Sequence, residues 1–116
     1  MSLFDAQHFY DEICQAAIAF FDLTSKEALP IVSDLLGCLE EEAGVLAKNA
    51  DQPATTKYLL AYDNIATVAK KLQTNELLGM LNRLAKCSMP VHAEERKRVI
   101  DEMLKRLAAA RTLHPL

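Results

Sequence analysis

The densest run of carboxylates in the chain is Glu40-Glu41-Glu42, and grouped carboxylates are what a hard divalent cation needs. Successive helical positions point about 100° apart, so three neighbours cannot converge on one ion. His8 and Glu12 are four apart and share a helical face, but a metal centre takes three or four ligands with support behind them. His92 and His114 are remote and fall at element ends. The pair at 8 and 12 reads as a surface His–Glu contact. Cys14, Cys38 and Cys87 are odd in number and none has C-x-x-C spacing, which argues against a disulfide framework or a zinc site. They read as buried apolar thiols in a reducing compartment. Gly37, Gly44 and Gly79 are isolated, so no phosphate-cradling loop is present. The triple acid also fails the pattern of small all-α nucleotide pyrophosphatases, E-x-x-E followed by E-x-x-D, because no acid stands three residues before Asp63. No residue is assigned to catalysis, to a metal or to a cofactor, and the chain is not expected to be an enzyme.

The elements that would position these residues are helices. The 116 residues are 51% hydrophobic and 6% aromatic, with Ala and Leu dominating, and both are strong helix formers. The expected architecture is an all-α, single-domain bundle of four to five helices over residues 1–116, dimeric. Asp5 caps a first helix over Ala6–Asp22, with Phe4 and Phe9 as a hydrophobic staple. Its stripes are Phe9, Ile13, Ala16, Phe20 and Tyr10, Cys14, Ala17, Phe21, an arc wider than one buried side requires. Thr24 and Glu27 have capping-box spacing, and Pro30 suggests a turn at 24–28 before a helix to Lys48. Gly37 and Gly44, one heptad apart, mark either a close helix crossing or mere tolerance. A loop at Asn49–Pro53 precedes a helix over Ala54–Leu72. A shorter helix follows, capped by Thr74 or Asn75, or the two are one kinked helix. After a loop at Cys87–Val91, an exposed outer helix spans Ala93–Thr112, with acid-before-base pairs Glu94–Arg98, Asp101–Lys105 and Glu102–Arg106.

Charge is uneven. Residues 1–50 carry nine acids and two bases, residues 51–116 seven acids and eleven bases. The two halves suit one another, within a fold or across a dimer. The acidic N-terminus is unlike a signal peptide, and no apolar run approaches the ~20 residues of a membrane span. The expected location is the cytoplasm.

Residues 65–86, IATVAKKLQTNELLGMLNRLAK, place Ala69 and Leu72 before a turn and Leu78, Leu81 and Leu84 after it. This segment resembles the helix-turn-helix of winged-helix transcription regulators, which implies DNA binding. It departs at Gln73, where the family carries Gly, and at Thr74, where it carries an apolar residue. The second helix is mostly apolar, and Arg96-Lys97-Arg98 is spread around its own helix. Phosphate contacts supply much of such affinity, so DNA binding is the second reading.

The surplus of apolar surface points elsewhere. Left exposed, it would exceed what soluble monomers carry. The first reading is therefore a regulatory protein of the anti-activator or chaperone type, whose partner is another protein such as a transcription factor, with no membrane role. The expected partner face is Tyr58, Tyr62, Leu72, Leu77, Leu78, Leu81 and Arg83, with Lys70 and Lys71 on its rim. The expected homodimer core is Cys14, Ala17 and Phe21.

Overall fold

A computed structural model describes residues 5–87 and 89–113. Five α-helices account for nearly all of them, with no strand: α1 (Ala6–Phe21), α2 (Ser25–Lys48), α3 (Thr56–Leu72), α4 (Asn75–Lys86) and α5 (Ala93–Leu113), the last preceded by one 3-10 turn, Pro90–His92. Phe4 of the expected staple and His114 lie outside the described residues.

Local chemistry sets the boundaries. The Asp5 side chain accepts from the backbone N–H of His8 at 3.1 Å and starts α1. Thr24 and Glu27 form the full capping box of α2, at 2.9 and 3.2 Å. The helix therefore starts at Ser25, and the expected turn at 24–28 is absent. Pro30 is accommodated inside the helix on its exposed side. α1 and α3 both stop at a residue in the left-handed region, Asp22 at φ 54° and Gln73 at φ 51°. In both, the next residue donates back five positions: Leu23 to Ile18 and Thr74 to Ala69. This is the Schellman arrangement, which normally favours glycine. Glycine takes that conformation without strain, and Gln73 adopts it with a full side chain. α3 and α4 are therefore separate helices.

α4 has no side-chain cap from Thr74, whose hydroxyl turns back to the Ala69 carbonyl. Glu12 of α1 supplies the missing acceptor, taking the Asn75 N–H at 2.9 Å. A carboxylate at that end also suits the helix dipole. Glu12 thus joins two elements 63 residues apart, and His8 sits 3.8 Å from its other oxygen.

α2, the longest helix, packs against α1, α3 and α5. The core gathers Phe9 and Ile13 of α1, Val32, Leu36 and Leu46 of α2, Ile65 of α3, Leu77 and Met80 of α4, and Ile100, Met103 and Leu107 of α5, all essentially inaccessible to solvent. α5 contacts α1, α2 and α4, so it is less peripheral than its charge pattern suggested. Its charged side is used partly inward: Arg83 of α4 meets Glu102 at 3.1 Å and Glu95 at 3.6 Å, and Arg106 bonds both Glu102 and Glu76. Asp101–Lys105 forms as expected, whereas Arg98 takes Glu95 instead of Glu94.

The two α2 glycines mark no close crossing. A methyl group added at Gly37 or Gly44 would meet nothing within 4 Å. Gly37→Ala and Gly44→Ala are each expected to stabilise the fold by about 0.5–1 kcal/mol, because alanine restricts the unfolded chain more than glycine does. Thermal denaturation checks this. A lowered Tm would mean that this side of α2 meets a surface outside the protomer.

Candidate interaction groove and the Arg96 clamp

The residues singled out for chemistry do not converge. Glu40 pairs with Arg111 of α5 at 3.1 Å, Glu41 is exposed, and Glu42 turns toward a cleft beside α3. Among the described residues, no three His, Cys, Asp or Glu side chains are grouped to hold a metal ion. Of the three thiols expected to be buried, only Cys87 is; Cys14 is half-buried, and Cys38 is exposed because it falls off the buried line of α2 formed by Leu36, Leu39 and Ala43. Burial, with the Asp11 carboxylate, pushes the Cys14 thiol above its ordinary pKa, which makes it a poorer nucleophile.

α3 and α4 form a hairpin whose register is visible in one bond. The Tyr62 hydroxyl donates to the Leu81 carbonyl at 3.0 Å. At 1.5 Å per residue, Tyr62 lies roughly 15 Å back from the turn and Leu81 roughly 10 Å beyond it. Helices crossing at right angles would hold them too far apart for a phenol to bridge. The two helices therefore fold back toward one another at an angle well short of perpendicular, with the Tyr62–Leu81 bond tying them together.

The apolar groove between them is short, because Ala66 and Leu81 are buried where the helices meet. At its open end, a cleft of about 170 Å³ is lined by Pro53, Tyr58, Leu59, Tyr62, Leu84 and Ala85, with no charged group. Burial raises the Tyr58 and Tyr62 pKa values, so both phenols stay neutral here. Leu59 and its neighbour Leu60 are more than half exposed, at 54% and 58%.

The expected partner face is divided by the fold. Tyr62 and Leu78 stand half-buried at the groove, with Tyr58 and Leu81 nearly covered at its floor. Leu72 and Leu77 belong to the core, at 4% and 0% exposure; they are not available to a partner in this conformation. Arg83 faces α5, held by two carboxylates. The expected dimer core divides in the same way. Ala17 is fully covered within the protomer, Cys14 is half-buried, and Phe21 is exposed. Phe20, aligned with Phe9 and Ile13, is exposed too, since no other described helix covers the last turn of α1. The two rings stack edge to face, 5.0 Å between centroids. Leu59 and Leu60 escaped the sequence reading because they fall outside the buried arc of α3. Two adjacent leucines off that arc are the signal.

The loops at the open end are held by Arg96, which is wholly buried. Its Nε donates to the Ala50 carbonyl at 2.5 Å; its Nη1 donates to the carbonyls of Cys87 at 2.7 Å and Met89 at 3.1 Å. Ala50 and Cys87 stand at the C-terminal ends of α2 and α4, where unpaired carbonyls and helix dipoles favour a cation. One guanidinium thus caps two helices and fixes the loop that exposes Met89 and Val91. Its neighbours in the basic run are at the surface: Lys97 binds Asp51 at 2.8 Å, holding that carboxyl below its usual pKa, and Arg98 binds Glu95. Spacing identifies Arg96, three residues before Val99 and seven before Met103, as a core position.

No described helix is long and apolar enough to cross a membrane. Comparison with family models, with characterised proteins and with solved structures gives no match to this chain.

Proposed function

We propose that this protein is a cytoplasmic regulatory protein that binds a second protein through the α3–α4 groove and alters that partner's assembly or activity, in the manner of an anti-activator or a chaperone. The observation that carries the reading is the exposed Leu59 beside an uncharged cleft. A groove lined by leucine, tyrosine and proline accepts the apolar stripe of a partner helix. A transcription factor's helical dimerisation surface is one such stripe. Self-association belongs to the same reading, with the exposed Phe20–Phe21 pair as the contact between copies.

Leu59→Glu places a charge at the mouth of the groove without touching the core. Affinity capture from the native cytoplasm should recover one specific protein on the wild type and lose it on Leu59→Glu, with the melting curve unchanged. Recovery of nothing specific, or equal recovery on both baits, contradicts the proposal. DNA binding through residues 65–86 keeps one observation in its favour, the left-handed Gln73 at a two-residue turn. Against it, the Arg83 guanidinium is already bound to carboxylates. Duplex DNA retarded at low salt and released steeply as salt rises would restore that reading.

A further inference from the structure

We propose that the exposed end of the α1–α2 hairpin pairs with the same end of a second copy of this chain about a two-fold axis, Asp22 of each copy facing Lys26 of the other. This rests on Phe20–Phe21 being the contact between copies and adds its geometry. A two-fold contact sets one patch against itself, so the patch must be self-complementary. Phe20 and Phe21 are 54% and 46% exposed. Asp22 follows them as the C-cap of α1, and Lys26 stands in the first turn of α2. Both charged residues are exposed, and neither has an ion-pair partner among the described residues.

Each of these charges stands at the helix end that repels it. Asp22 is at the negative end of the α1 dipole and Lys26 at the positive end of the α2 dipole. An opposite charge from outside the protomer relieves both. A uniformly acidic or basic partner satisfies only one of them, whereas a second copy satisfies the two together. Glu27, the remaining carboxylate of this turn, is engaged with the Thr24 N–H. The end of the hairpin is open to approach: Arg111 of α5 meets Glu40, roughly 20 Å along α2 from Ser25, so α5 stops well short of it. The two rings of each copy supply the apolar centre of the contact. About half exposed, they offer roughly 200 Å² per copy, given 150–250 Å² for a whole aromatic side chain. A stable interface covers about 800 Å² per partner. The association is therefore weak and depends on concentration.

The test is charge complementation, read by sedimentation equilibrium of the full chain from about 10 μM to about 1 mM, where weak contacts show. Asp22→Lys and Lys26→Asp each set like charges against one another in a two-fold pair. Each variant alone should self-associate at least about tenfold more weakly than the wild type. Mixed in equal amounts they should recover a 1:1 dimer, because an end with two lysines then meets an end with two aspartates. That recovery should shrink as salt rises. Both variants should keep wild-type helix content by circular dichroism; Gln73 shows that a long side chain adopts the left-handed conformation of position 22. A mixture no heavier than its components overturns the proposal, as does wild-type association of either variant alone. If Phe21→Asp still removes the wild-type dimer in those cases, the aromatic contact stands and only its two-fold geometry fails. A wild type that stays monomeric to about 1 mM overturns the proposal and self-association together, and leaves the α3–α4 groove to the capture comparison.

Discussion

Arg96→Met is expected to destabilise the fold by roughly 3 kcal/mol, lowering Tm on the order of 10 °C. Methionine fills most of the same space, so the loss reports hydrogen bonds rather than a cavity. Three carbonyls lose a charged donor at once. They belong to the backbone, so no substitution elsewhere removes their need. The wild-type arrangement is itself imperfect, since the second terminal nitrogen, Nη2, is buried without a hydrogen-bond partner among the described residues. That nitrogen limits the net gain from the guanidinium but leaves the carbonyls dependent on it. Arg96→Lys keeps the charge and loses the planar fork, and should fall between the two. Arg96→Ala adds a cavity and should be worst. Circular dichroism melting of the three variants checks the order. A wild-type Tm for Arg96→Met would show that water replaces the donor and that the clamp is not structural.

The second large effect separates the two sides of α1. Ile13→Asp should abolish folding, because Ile13 has no solvent exposure and a lone carboxylate there is costly to bury. Phe21→Asp should leave the protomer folded, with wild-type helix content and a cooperative melt, because the ring lies on its surface. If Phe20–Phe21 is the contact between copies, light scattering should also show the Phe21→Asp chain as a monomer where the wild type is a dimer. Unfolding of both variants would mean that the end of α1 is covered after all.

The sequence pattern was sufficient for the helices and largely for the core. Leu and Ala at helical spacing, the Thr24–Glu27 box and the loop at Asn49–Pro53 are local signals, and local signals survive folding. The positions that moved depend on neighbours. Phe20 lies on the right line of α1, but whether another helix covers it is a tertiary fact. Leu72 and Leu77 look the same as Leu78 in a single sequence, yet only Leu78 faces outward. Glu12 capping α4 joins residues 63 apart, and no spacing rule links them. Arg96 was legible in principle, since it falls on the apolar line of α5. Its charge placed it among surface residues, which is the usual place for arginine. The groove shows the same limit: its walls come from two helices and a loop, and Pro53, Leu59 and Ala85 have no common signature along the chain.

Photo-crosslinking in the native cell identifies what covers Leu59. Benzoylphenylalanine is placed at Leu59 in one chain and at Phe21 in another. One discrete adduct with a different protein is expected from position 59 and none with that protein from position 21. Adducts from position 21 alone, or none from position 59 but self-adducts, would contradict the proposed function.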